Sequence, residues 1–272
     1  MLTLLSALGL ALPLVAGTPP EVQSVASANN QFALDLYARL RSADGNLFFS
    51  PYSVHKTLTM AYAGARGDTA REMAAVLHFP PGPGDPHRAY REARKLLNQK
   101  AAQRGVQLAL SANLWGQRGY RFEKSFLSLL EECYGAGLQE VDFTAPEAAR
   151  QTINAWVGKQ TNQKIRELFP EGALNLTTRL VLASAIYFKG DWAQPFKKSG
   201  TRDDTFWLDA RTRAQVPMMN QTDVFGYCDD RQVQVLELPY AGRDLAMVVL
   251  LPRRRDGLAE LEKSLTAEKL AA

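Results

Sequence analysis

The sequence predicts an α+β fold, on three observations. Apolar residues recur at helical spacing through most of the N-terminal third. From Val106 onward the period shortens to two, and strand-like runs become common. No regular strand–helix alternation joins the two regions, which excludes a doubly wound parallel sheet or an α/β barrel.

Val25, Phe32, Leu36 and Leu40 place an amphipathic helix over residues 22–41, stopped near Asp44-Gly45. The aromatic pair in Asn46-Leu47-Phe48-Phe49-Ser50-Pro51-Tyr52-Ser53 reads as a short buried strand. Ser53 then caps a helix whose apolar positions are Val54, Leu58 and Ala61. Thr69 and Glu72 form a capping box opening a third helix, with Met73, Val76 and Leu77 on its apolar side. After the turn-rich Pro80-Pro81-Gly82-Pro83-Gly84, a basic helix runs over about 86–100.

Val106, Leu108, Leu110, Ala112 and Leu114 alternate as in a strand buried on one face. Helical patterns return over 122–133 and from 146 to about 164. The run Leu180-Val181-Leu182-Ala183-Ser184-Ala185-Ile186-Tyr187-Phe188 is apolar almost throughout, as in a central strand covered on both faces. Three or four further strands follow and end in a hairpin, 233–238 with 245–251, around Tyr240-Ala241-Gly242. Residues 256–272 close the chain as a helix carrying Leu258, Leu261, Leu265 and Leu270. The sequence stops inside that helix without a cap, as an interrupted chain would.

Composition bounds the class. Of 272 residues, 46% are hydrophobic and 22% charged, with 19 Gly and 14 Pro, which excludes disordered and collagen-like chains. Lys and Arg exceed Asp and Glu by 32 to 28, a net +4 too small to predict a nucleic-acid or membrane partner. Cys133 and Cys228 cannot supply a disulfide framework. Residues 2–17 are apolar and uncharged but shorter than the ~20 residues that span a bilayer. With Ala16 and Gly17 ahead of Thr18-Pro19-Pro20, they predict a signal peptide over 1–17 and a secreted, extracellular protein. Secretion would open the sequons at Asn175 and Asn220 to glycosylation.

The chain carries no Gly-x-Ser-x-Gly elbow, no phosphate-binding loop and no His-Glu-x-x-His. Gly135-Ala136-Gly137 lacks the third glycine of a dinucleotide fingerprint. His55, His78 and His87 are scattered, which favours surface or helix-end roles over a metal site. Cys133 reads as a buried thiol rather than a nucleophile. These absences argue against an enzyme, and neither cofactor nor metal is expected. Arg66-Gly67-Asp68 matches an integrin-recognised tripeptide, yet a turn followed by a helix start accounts for all three residues. Arg88, Arg91, Arg94 and Lys95 stripe one helix, with Arg104 near. The default reading is a solvated face, and the alternative is a site for sulfated polysaccharide.

Five blocks in order resemble the serpins. They are Asn46-Leu-Phe-Phe-Ser-Pro-Tyr-Ser-Val54 with Ala63-Gly-Ala-Arg-Gly-Asp-Thr69, Ile153-Asn-Ala-Trp-Val-Gly-Lys-Gln-Thr-Asn-Gln-Lys-Ile165, Leu182-Ala-Ser-Ala-Ile-Tyr-Phe-Lys-Gly-Asp-Trp192, Val216-Pro-Met-Met219 and the hairpin ending Leu250-Leu-Pro252. The resemblance covers residues 22–272. It implies a metastable α+β domain, with helices clustered in the N-terminal half on a large mixed central sheet. It also implies a serine protease as partner, which cleaves an exposed reactive loop and is trapped when the loop inserts into that sheet as a strand. By the same resemblance Ser50, Ser53 and Asn154 form the polar cluster where the sheet parts, and Trp192 sits near its top. Ser184 stands where the family usually has Asn. Serpins place the reactive loop and the last core strands beyond the helix in which this sequence stops, so the domain reads as incomplete at its C-terminus, without a reactive centre. The leading reading is therefore a serine protease inhibitor represented by a truncated chain. The alternative is a non-inhibitory serpin-derived protein binding polysaccharide or another protein.

Overall fold

A computed structural model describes residues 19–43, 45–81, 84–101 and 105–271. Helix α1 (Pro20–Leu40) starts on a proline, whose missing N–H costs nothing in a first turn. It buries Val25 and Phe32. Residues 46–50 form no strand, and Phe48 is 77% exposed. Helix α2 (Pro51–Tyr62) begins three residues earlier than the sequence suggested. Ser50, not Ser53, is its cap: the Ser50 Oγ accepts the Ser53 N–H at 3.2 Å, and Pro51 takes the first helical position. Its buried face is Tyr52, His55, Lys56, Thr59 and Met60 rather than Val54, Leu58 and Ala61.

Helix α3 (Gly67–Val76) starts before the expected capping box, after Arg66 in an extended conformation. Helix α4 (Pro86–Ala101) packs on α1 and on α5 (Lys124–Tyr134). Strand β1 (Val106–Gln117) pairs in parallel with β2 (Leu138–Val141), a short strand that periodicity missed. On its other side it pairs antiparallel with β3 (Leu180–Gly190), from Val106 opposite Gly190 to Gly116 opposite Leu180. The order β2-β1-β3 makes a mixed sheet.

Because side chains alternate across a strand, the sheet separates two cores. Leu114 and Leu182 face the cluster built by α1, α2, α4 and α5, with Tyr52, Met60, Tyr90 and Leu130. Trp115, Val181 and Ala183 face α6 (Pro146–Gln160), with Ile153 and Phe143. β3 is thus covered on both faces, as its apolar run predicted. β1 is too, at Leu114 and Trp115, where one-sided burial was expected.

Five further strands follow. β4 (Arg202–Trp207) pairs with β5 (Arg213–Met218). β6 (Gly226–Asp229), β7 (Val233–Pro239) and β8 (Ala246–Pro252) form an antiparallel sheet containing the expected hairpin. The closing helix is two short ones, α7 (Leu258–Ser264) and α8 (Ala267–Ala271). They return to α1, where Tyr37 bonds Glu262 and Arg41 lies 3.9 Å from it.

Candidate functional site

The edge of β3 is the feature around which the predicted polar residues can be placed. Among the described residues β3 pairs only with β1, although helices cover both its faces. A doubly covered strand normally carries neighbours on both sides.

On the α2 face lie Ser50, Ser53 and Ser184. Both α2 serines are half-buried. Ser50 caps the helix, and the Ser53 carbonyl accepts the Thr57 hydroxyl at 2.9 Å. Ser184, on β3 opposite Ala112, has a buried hydroxyl without a partner. On the other face, the Asn113 amide nitrogen and the Trp115 indole nitrogen of β1 are also buried and unpaired. Polar atoms left unpaired in an interior raise its free energy.

Asn154 does not join the serines. It projects from α6 on the opposite face of the sheet, and its amide fastens the chain that follows that helix. Its Oδ1 accepts the Leu168 and Phe169 N–H groups at 3.0 Å each, while Nδ2 donates to the Phe169 carbonyl at 2.9 Å. Arg150 donates to the same carbonyl at 2.9 Å and pairs with Glu147 and Glu167. The Arg150 guanidinium holds the Glu147 carboxyl down to about 2.

Trp192 follows β3 and stacks on Tyr240, which the sequence presented only as part of a turn. The basic stripe is largely engaged: Arg91 pairs with Glu92 and Glu132, and Lys95 with Glu92. Arg94 donates to the Glu132 carbonyl at 3.3 Å, completing the C-terminus of α5. Arg88 alone of the four is exposed with no acidic partner for its side chain among the described residues, its backbone N–H donating to the Asp85 carboxylate at 3.2 Å, and Arg104 lies outside them. Arg66 donates to the carbonyls of Ala63 and Ala65 and Asp68 pairs with Arg71, so local geometry occupies the tripeptide. The exposed Asn175 accepts from Thr177 of its own sequon, and the exposed Asn220 donates to the Met218 carbonyl.

His55, expected at the surface or at a helix end, is buried within α2, and His87, which does lie at a helix end in the first turn of α4, is buried as well. His55 donates Nε2–H to the Leu77 carbonyl at 2.9 Å, so its Nδ1 accepts the Tyr90 hydroxyl at 2.6 Å. Burial pushes its pKa down to about 4. His87 bonds the Tyr134 hydroxyl at 2.7 Å, and burial lowers its pKa also. Only polarity had suggested exposure. Each ring meets a buried tyrosine on another helix, a pairing invisible to local pattern. Among the described residues no group of three or more His, Cys, Asp or Glu could hold a metal.

The family described as Serpin (serine protease inhibitor) matches residues 27–272. This chain belongs to the serpin family. Human serpin B4 is 38% identical over 268 residues, covering 92% of this serpin and 68% of the relative. Leukocyte elastase inhibitor of Bos taurus is 42% identical over 258 residues, covering 92% and 67%. Emu ovalbumin superposes with a TM-score of 0.86 at 31% identity, covering 91% of this serpin and 68% of that chain. Cleaved kallistatin complexed with heparin gives 0.84 at 30%, covering 92% and 74%. The expectation of a secreted, extracellular protein is overturned, because serpin B4 and leukocyte elastase inhibitor are clade B serpins, typically intracellular. The signal peptide expected over residues 1–17 lies outside the described residues.

Proposed function

We propose that this serpin inhibits a serine protease by the insertion of its own cleaved reactive loop as a strand, and that it acts as an inhibitor, not an enzyme. The observation that carries the reading is the match of residues 27–272 to the family described as Serpin (serine protease inhibitor), in which β3 is a strand covered on both faces. A strand arriving there gains a full ladder of hydrogen bonds and two apolar faces in one step, which is a large free-energy drop. That drop is what turns a cleaved loop into a kinetic trap. Ser50 and Ser53 are the polar residues under the parting sheet, with Ser184 in place of the family's Asn. Trp192 and Tyr240 anchor the end of β3 at which insertion starts. Relatives named leukocyte elastase inhibitor support a protease partner.

The reading requires that the native polypeptide continue beyond Ala272, where the family carries its reactive loop. Intact-mass measurement of the native protein, followed by incubation with serine proteases, tests it. The expected result is a mass above that of these 272 residues and a protease complex that survives denaturation in detergent. A full-length protein that is merely cleaved, with the protease left free and active, would overturn it. The engaged state of Arg91, Arg94 and Lys95 weakens the polysaccharide reading for the outer face of α4.

A further inference from the structure

Helix α4 is fastened to its neighbours by two buried histidine–tyrosine pairs rather than by a broad apolar face. Its buried aliphatic side chains are Ala89, Ala93 and Leu97, two of them single methyl groups. Tyr90 reaches α2, where its hydroxyl meets His55 Nδ1 at 2.6 Å, and His87 Nδ1 meets the Tyr134 hydroxyl of α5 at 2.7 Å. The Tyr90 and Tyr134 rings lie 5.8 Å apart, and Tyr62 of α2 stacks on His87. The two contacts thus form one cluster across three helices. The ion pairs Arg91–Glu132 and Lys100–Asp244 also reach α4, but both are partly open to solvent and hold it weakly.

Protonation works against both pairs. His55 Nε2–H is committed to the Leu77 carbonyl, so a second ring proton takes the lone pair that accepts Tyr90. The cation would lie among Phe32 of α1, Phe79 and Tyr90. His78, which pairs with Asp35 of α1, repels it, and no carboxylate among the described residues acts on it. His87 lies in the first turn of α4, at the positive end of the helix dipole. Asp85, whose carboxylate accepts the His87 and Arg88 N–H groups, offsets this in part, and burial still prevails. Once out of the cluster, both rings return to the ordinary histidine range, about 6.5. Release therefore takes up protons, and falling pH favours it. We propose that α4 is an acid-released element: protonation of His55 and His87 detaches it from α2 and α5 while the β2-β1-β3 sheet and α6 stay folded. The inference is independent of the inhibitory reading.

The test follows Cys133, buried on α5 in the cluster that α4 closes, in the full chain carrying Cys228→Ser. Its labelling by a pyridyl disulfide, normalised to free cysteine at each pH, reports the released population. The rate is expected to climb as pH falls below about 6.5, by up to about 100-fold per pH unit where two protons are taken up. His55→Asn and His87→Asn should each lower that slope to about tenfold, and together abolish it, while Glu132→Gln leaves it unchanged. In the parent, imidazole NMR should show His55 and His87 titrating over the interval in which α4 amides, but not α6 amides, lose exchange protection. Loss of protection in α4 and α6 together, which is global unfolding, overturns the proposal. So do titration of both rings with Cys133 still closed, or a Cys133 response that persists in the double variant.

Discussion

The Trp192 indole lies flat on the Tyr240 ring, centroids 4.7 Å apart and planes within 10°. The two residues also share an isolated antiparallel bridge, and Phe188 meets Tyr240 edge-on at 4.9 Å. Tyr240 is the only buried side chain after Ala185 among the described residues. One ring thus joins the end of β3 to the β7–β8 hairpin.

Tyr240→Ala should cost about 3–5 kcal/mol, the range for deleting a buried aromatic ring. The Trp192 face would open to water, so its fluorescence should shift red as the urea midpoint falls. An unchanged emission maximum would separate the two rings.

Acid should weaken the fold through His55. Its folded pKa of about 4 lies below the ~6.5 of an unfolded histidine. The unfolded chain therefore takes up the proton first. The His55 contribution is complete above about pH 6.5 and declines as pH falls toward 4, by about 3 kcal/mol in all. Urea unfolding across this range should show a shallower pH slope in His55→Asn than in the parent. Equal slopes would remove His55 from the acid response.

Asn154→Ala should cost about 2–3 kcal/mol, because two backbone N–H groups lose their partner, while Arg150 still bonds the Phe169 carbonyl. Hydrogen exchange at Leu168 and Phe169 should rise with it. Protection unchanged at both amides would mean that other contacts hold this loop.

Gly135 has φ +65° and carries the Arg94 guanidinium above it. Gly135→Ala should cost about 1–2 kcal/mol for the left-handed backbone, and more for displacing Arg94. In an Arg94→Ala background only the backbone part should remain. A double-mutant cycle without coupling would place Arg94 away from Gly135.

Ser184→Ala should leave the protein equally stable or about 1 kcal/mol more stable, since it deletes a buried hydroxyl that has no partner. A lower urea midpoint in the variant would show that the hydroxyl does pair.

The helices over 22–41 and 86–100, the doubly covered strand and the hairpin were legible, because each writes its own period into consecutive residues. The start of α2 was not. Ser50 and Ser53 are both good caps, and Pro51 favours the first by fitting the first helical turn. The buried face of α2 was misread for a related reason. His55, Lys56 and Thr59 look like a solvent face until Tyr90 and the Leu77 carbonyl are brought over it from other segments.

The order of the sequence blocks, without coordinates, already placed this chain among the serpins and implied an α+β domain with a mixed sheet. It could not separate Asn154 from Ser50 and Ser53. That depends on which face of β1 and β3 each helix covers, a choice made by long-range strand pairing. The same holds for the Trp192–Tyr240 stack and the His55–Tyr90 pair. Periodicity records whether a residue is fit for burial. Only packing across the sheet and between helices sets its partners, and the partners determine charge state, strain and chemistry.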